Sequence, residues 1–165
     1  MNPQTATKPK LEALAGKYLT FFLGEEEYGI EILKVQEIIG LLKITPVPNT
    51  PKHMRGVINL RGKVIPVVDI RERFGMSAVE ATKQTCIIVV RSGEAEIGTV
   101  VDRVSAVVSI KAGEIEETPP MGARVDTSCL LGIGKTEGRV RLLLDIERVL
   151  ADVGEAASSP TAIQA

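Results

Sequence analysis

There is no tryptophan in this chain, and only three Phe, two Tyr and one His among its 165 residues. So few flat rings leave little for unpaired bases to stack on, which weighs against an oligonucleotide-binding barrel. The single imidazole, His53, lies in the Pro51–Met54 turn with no serine or cysteine motif beside it, so a His-activated nucleophile lacks its second member. The two cysteines, Cys86 and Cys129, sit in or beside apolar runs without metal-ligand spacing, as buried reduced thiols do. No apolar run approaches the roughly 20 residues needed to span a bilayer, and the polar N-terminus carries no signal-type apolar region. Net charge is −1, from 20 basic and 21 acidic residues, so no long-range field draws the chain toward nucleic acid or an anionic membrane. A soluble cytoplasmic protein is expected, with no metal and no cofactor.

What is present is a repeated unit. In Gly56–Phe74, GVINLRGKVIPVVDIRERF, Val57–Leu60 and Lys63–Ile70 read as strands reversed at Arg61-Gly62, Gly62 supplying the positive φ of a tight hairpin. Pro66 lacks a ladder N–H, which places its strand at an edge or a bulge. Asp69 with Glu72 three residues on is a capping box opening a helical turn, and Gly75 closes it. Gly132–Leu150, GIGKTEGRVRLLLDIERVL, aligns with this unit without a gap at an offset of 76. Gly56/Gly132, Gly62/Gly138, Val64/Val140, Asp69/Asp145 and Ile70/Ile146 are identical pairs. Upstream, Thr50-Pro51 and Asp126-Thr127 both read as helix caps.

The earlier parts of the two halves also correspond. Tyr18–Leu23 and Glu27–Glu31 read as paired strands, Ile32–Lys34 as a helical turn and Val35–Ile39 as a third strand. Cys86–Val90, Glu96–Val101 and Val104–Ile110 repeat the pattern, with Gly29/Gly98 and Val35/Val104 matching at an offset of 69. The growth from 69 to 76 assigns seven extra residues to Lys111–Val125, a Gly/Pro/Glu-rich loop of the kind that often binds partners. Ile44–Pro51 holds three prolines and is expected to be an extended connection. An all-β fold follows: two small antiparallel barrels of five short strands, each ending in a helical turn. The expected divisions are a loose tail over 1–16, barrel subdomains over 17–82 and 83–151, and a disordered tail over 152–165.

Nothing in the pattern is arranged to make or break bonds. Asp69 and Asp145 are a tempting catalytic pair, but each is followed by Ile and a charged residue and stands where a helix cap belongs. Gly132-Ile-Gly134 precedes a strand and not a helix, so it is no phosphate cradle. A binding function is expected, and an adaptor is weighed against a nucleic-acid-binding tandem barrel and an unrecognised hydrolase.

The runs YGIEILKVQEI (Tyr28–Ile38), NTP (Asn49–Pro51) and GVINLRGKVIPVVDIRERFG (Gly56–Gly75) closely resemble the CheW family of chemotaxis coupling proteins. The weaker IGTVVDRVSAV (Ile97–Val107) and the DIERVL ending extend the likeness to essentially Tyr18–Leu150. The resemblance implies two intertwined five-stranded Src-homology-3-like barrels and an adaptor without enzymatic activity. It implies as partners the cytoplasmic tip of chemoreceptors, the regulatory domain of the histidine kinase CheA, and further copies of the chain in array rings. On the same basis Val35, Glu37, Gly56, Ile58, Arg61 and Val104 are expected to face the receptor, and Asn59, Leu60, Glu116 and Met121 the kinase. These two charges occur only in the first half, Glu37 having the uncharged counterpart Ala106 and Arg61 the oppositely charged Glu137; Glu37 is expected to orient the Arg61 guanidinium.

Overall fold

Both hairpin tips reverse in two residues, and in both the first residue joins the glycine at positive φ: Arg61 at 53° with Gly62 at 83°, Glu137 at 56° with Gly138 at 74°. Two consecutive positive φ values are the mark of a type I′ turn, whose twist suits the flanking strands. These tips belong to a computed structural model that describes residues 14–117 and 129–151. In chain order it contains β1 (Gly16–Leu23), β2 (Glu26–Glu31), a 3₁₀ turn (Ile32–Lys34), β3 (Val35–Gly40), β4 (Met54–Leu60), β5 (Lys63–Asp69) and α1 (Ile70–Arg73). There follow β6 (Cys86–Ser92), β7 (Ala95–Val101), β8 (Arg103–Ile110), a 3₁₀ turn (Ala112–Glu114), β9 (Ile115–Glu116), β10 (Leu130–Thr136), β11 (Arg139–Leu144) and α2 (Ile146–Val149).

The strands exchange between halves. One sheet has the order β8-β1-β2-β11-β10-β9 and the other β3-β6-β7-β5-β4. Each therefore takes its first two repeat strands from one half and the rest from the other. The joins are two short parallel pairings, Leu143 opposite Gly29 and Val67 opposite Gly98. Both glycines are there for close approach: a Cβ on Gly29 would lie 3.1 Å from the Leu143 side chain, and one on Gly98 2.8 Å from Ile87. The chain crosses between sheets at the 3₁₀ turn after β2 and at Asp102 after β7. Residues 75–85 join β5 to β6 within one sheet.

Each sheet curls into a barrel, here barrel A (six strands) and barrel B (five). In B the edge strands β3 and β4 meet through Glu37 and Arg61; in A, Ile110 of β8 packs with Ile115 of β9. Strand alternation then sorts the core into three parts. In β1, Leu19, Phe21 and Leu23 face the layer between the barrels, while Tyr18 faces the interior of A. In β6, Ile88 and Val90 face that same layer and Ile87 and Val89 the interior of B. Burial on both faces is why Cys86–Val90 reads as an unbroken apolar run. The shared layer also holds the stack Phe21–Tyr28–Phe74, with ring centroids 5.8 Å apart at each step. A fully buried Leu, Ile or Phe contributes about 1.5–3 kcal/mol, so this layer welds the barrels together.

The Pro66 expectation resolves in an unexpected way. Its strand, β5, lies between β4 and β7, but pairing with β7 begins only at Val67, so that flank is open at the proline. The helix cap expected at Thr50-Pro51 does not form. Met54 N–H donates to the Pro51 carbonyl at 3.0 Å and Met54 already belongs to β4, which leaves room for a turn alone. Asp126-Thr127 lies outside the described residues, as does most of the Lys111–Val125 loop; its described part contributes β9. The aspartate caps do form: Asp69 accepts from Glu72 N–H at 3.4 Å and Asp145 from Arg148 N–H at 3.3 Å. Bonds this long place the caps at the low end of their range, about 0.5 kcal/mol each.

Candidate functional site

The β4–β5 hairpin end of barrel B gathers the densest set of expected site residues. Arg61 sits at the tip with its side chain 69% exposed. Glu37 reaches it from β3: Arg61 Nη1 donates to Oε1 at 3.2 Å and Nη2 to Oε2, a fork-to-fork pair. A bulge in β3 between Val35 and Glu37 sets the aim of the carboxylate. The same bulge recurs in β8, where Ala106 takes the place of Glu37. Glu37's hydrogen bond pushes the Arg61 pKa above its ordinary value, so the tip keeps a fixed positive charge. Asn59 Oδ1 accepts from Gly62 N–H at 2.9 Å and tightens the turn.

Sequence reading missed a second ion pair at this barrel mouth. Lys63 Nζ donates to Glu96 Oε1 at 2.5 Å, and Gln36 Nε2 to Glu96 Oε2 at 2.7 Å. The Lys63 bond holds the Glu96 carboxyl below the usual carboxylate range. The signal was available: Glu96 matches Glu27 at the offset of 69.

The other expected residues scatter. Val35 opens β3 and Val104 is the second residue of β8, and both pack half-buried on the layer between the barrels. Leu60 ends β4 half-buried against the interior of B. Ile58 is 2% exposed inside that barrel and presents no surface. Gly56 is buried with φ 146°, and a Cβ there would lie 2.1 Å from the Thr45 carbonyl oxygen. Glu116 is far along the other sheet, on β9, paired with Lys135 at 2.8 Å. Met121 lies outside the described residues. Asn59 and Leu60, expected to face one partner, thus adjoin Arg61, expected to face another.

A polar cleft lined by Arg55, Asp69, Arg71 and Asp102 is paired from within. Arg71 grips Asp102 with Nε to Oδ1 at 2.9 Å and Nη2 to Oδ2 at 2.6 Å, and Oδ2 also accepts from Gly24 N–H at 2.7 Å. One carboxylate thereby ties α1 to the β7–β8 crossing and to the β1–β2 turn. At the pseudo-equivalent place the polarity is reversed and the pair exposed, Lys34 meeting Glu147 at 2.9 Å. The Arg71 hydrogen bond holds the Asp102 carboxyl below its ordinary value. Asp102→Asn is expected to lower stability near pH 7 by about 2 kcal/mol, the scale of charge-assisted bonds with partial burial. A depressed folded pKa gives stability that is full above the unfolded value near 3.9 and is lost as pH falls through the folded value. Melting curves of wild type and variant are therefore expected to converge as pH falls through the lowered folded value of Asp102; a gap that does not narrow at all on acidification would refute this assignment.

Among the described residues no cluster of three His, Cys, Asp or Glu could hold a metal ion, and no helix is long and apolar enough to cross a membrane. The arrangement offers a presented guanidinium and two barrel mouths, which are means of holding other molecules.

Comparison with known proteins agrees with this geometry. The "Chemotaxis protein CheW" of Klebsiella aerogenes is 41% identical over 147 residues, covering 89% of this chain and 89% of that protein. That of Bacillus subtilis is 36% identical over 135 residues, covering 81% and 86%. The crystal structure of the scaffolding protein CheW from Thermoanaerobacter tengcongensis superposes with a TM-score of 0.77 at 36% identity, covering 82% of this chain and 92% of that one. The family described as "CheW-like domain" matches residues 17–154, a range that takes in both barrels except for the first residue of β1, and the chain belongs to that family.

Proposed function

We propose that this chain is a non-enzymatic adaptor of bacterial chemotaxis, coupling the cytoplasmic tips of chemoreceptors to the regulatory domain of the histidine kinase CheA. The observation that carries the reading is the family match across both barrels, to relatives named for chemotaxis and, in one case, for scaffolding. The barrel B mouth supports it, because an exposed arginine fork held by its own carboxylate is a rigid recognition element. In this reading Val35, Glu37, Arg61 and Val104 form the receptor side. Gly56 and Ile58 shape that side from beneath. Asn59, Leu60, Glu116 and Met121 serve the kinase side, and further copies of the chain join in array rings. The protein works in the cytoplasm and reaches the membrane through its receptors.

The test is a pull-down on the full chain with a receptor cytoplasmic fragment and with the kinase, separately and together. Each is expected to bind alone, and the mixture to give a ternary complex. A folded chain that retains neither partner overturns the reading.

A further inference from the structure

Each sheet has two edge strands, and three of these four edges are protected. β9 is only two residues long, and β3 carries Glu37, latched to Arg61 across the gap in barrel B. β4 is covered by Thr45, whose N–H and carbonyl both bond Val57 at 2.9 Å. Short length, charge and covering chain are the usual protections of a sheet edge. The fourth edge, β8, has none of them along Val104–Ile110. That run, VSAVVSI, holds no charge, proline or glycine, and its Ser105, Ala106, Val107 and Ser109 are exposed. The latch is absent here too, because the counterparts of Glu37 and Arg61 are Ala106 and Glu137, and an alanine cannot answer a carboxylate.

The open edge of β8 has a defined chemistry. Its bulge leaves Ser105 as the extra residue, and beyond it Ala106 stands opposite Thr20, Val107 opposite Leu19 and Val108 opposite Tyr18. Ala106 N–H donates to Thr20 Oγ1 at 3.3 Å, and Thr20 Oγ1 donates to the Ala106 carbonyl at 3.1 Å, so both backbone groups of Ala106 are turned to β1. Backbone groups alternate in direction along a strand. Those of Val108 and Ile110 therefore also face β1, and those of Val107 and Ser109 face outward, where the sheet has no further strand. Side chains alternate as well. Val108 faces the interior of barrel A with Tyr18, whereas Val107 lies on the other face with Leu19 and is 53% exposed.

We propose that β8 pairs antiparallel with β8 of a second copy of this chain, about a twofold axis at Val108. In that register Val107 of each copy exchanges backbone hydrogen bonds with Ser109 of the other, and the two Val107 side chains become diagonal neighbours on one face. Ala106 falls opposite Ile110, and Lys111 opposite Ser105, so no like charges meet. A register centred on Val107 would set Arg103 against Lys111 and is disfavoured. An uncharged run fits itself without repulsion, which is why a second copy is the occupant the edge favours. Pairing of about five residues a side falls short of the roughly 1,000 Å² that stable contacts bury, so the dimer is weak and concentration-dependent. The proposal rests on this edge and not on the adaptor reading. A twofold pair joins like surfaces and closes on itself, whereas a ring joins unlike ones.

The test is sedimentation of the full chain from about 20 µM to about 1 mM, with amide hydrogen exchange read by NMR over the same range. The mass is expected to pass the midpoint to dimer near about 0.3 mM, and exchange at the Val107 and Ser109 amides to slow about threefold by 1 mM. The Val108 and Ile110 amides, held by β1, are expected to be protected at every concentration. Ser109→Pro removes an outward N–H without touching the β1 ladder, and Val107→Lys places a charge on the exposed face. Each is expected to raise the midpoint at least about tenfold, with melting close to wild type for Val107→Lys. A chain still monomeric at 1 mM would overturn the proposal. So would a dimer that neither variant weakens, which uses another face, or protection of Val107 and Ser109 already complete at 20 µM, which means the chain covers its own edge.

Discussion

Gly56→Ala is expected to lower the stability of the chain by about 3–5 kcal/mol, a fall of roughly 6–20 °C in melting temperature for a protein of this size. Two effects combine. At φ 146° an L side chain is strained, at about 1–3 kcal/mol. In addition the new Cβ would lie 2.1 Å from the Thr45 carbonyl oxygen and 2.7 Å from its carbon, and backbone cannot give way as a side-chain tip can. That carbonyl is already engaged, accepting from Val57 N–H at 2.9 Å in the bridge that pins the proline-rich connection to β4. The twin position provides the control. Gly132 has an ordinary φ, and its Cβ would lie 2.9 Å from the Glu116 carbonyl oxygen, where β9 pairs with β10. Gly132→Ala is expected to cost less, about 1–3 kcal/mol, by overpacking alone. Thermal melts of the two variants decide it, and a Gly56→Ala protein that melts with wild type would sink the account. The result also bears on function. Partner loss in a Gly56 variant that melts early reports the loss of a seat for residues 44–45, not of a contact.

Local chemistry was legible in the sequence; partner choice between strands was not. The hairpin tips, the aspartate caps and the exchange-site glycines all stand out, because turn geometry and close approach each demand a particular residue. The offset alignment of Gly56 with Gly132 even marks where a neighbouring backbone comes within reach. Which sheet a strand joins is a different kind of question. Val67 pairs with Gly98 and Leu143 with Gly29, each with the other half's strand, yet pairing within a half would bury the same alternating faces. The repeat is symmetric under the exchange, so its pattern holds no trace of it. Arg141 misleads for a related reason. An arginine between Val140 and Leu142 reads as the solvated side of a strand, whereas inside a closed barrel that side is interior, and Glu27 answers it from β2, the neighbouring strand in the sheet but one far away in sequence. Charge is a good guide to exposure only where a strand has one wet face.

Arg61→Ala is expected to leave the melting temperature within about 2 °C of wild type, since an exposed ion pair contributes about 0–1 kcal/mol. On the adaptor function proposed above, the same change is expected to reduce kinase activation in reconstituted receptor complexes by about tenfold or more, the scale of losing one well-placed charged contact. This contrast separates Arg61 from Gly56: one serves the surface, the other the seat beneath it. The fork is the relevant feature. Glu37 takes one donor from each terminal nitrogen, which fixes the guanidinium plane and leaves its remaining N–H groups directed outward to a carboxylate or a carbonyl. A lysine ammonium at the tip retains the charge but neither the plane nor the pair of parallel donors. Arg61→Lys is therefore expected to fail nearly as badly as Arg61→Ala, and Glu37→Gln, which keeps an oxygen acceptor but loses the carboxylate, to fall between. Activation measured beside a melting curve reads both quantities on the same protein. If Arg61→Lys activates the kinase like wild type, the oriented fork is wrong and the tip acts only as a positive charge. If Glu37→Gln alone is silent, Arg61 needs no partner to hold its plane, and the bulge that aims Glu37 from β3 serves barrel closure instead.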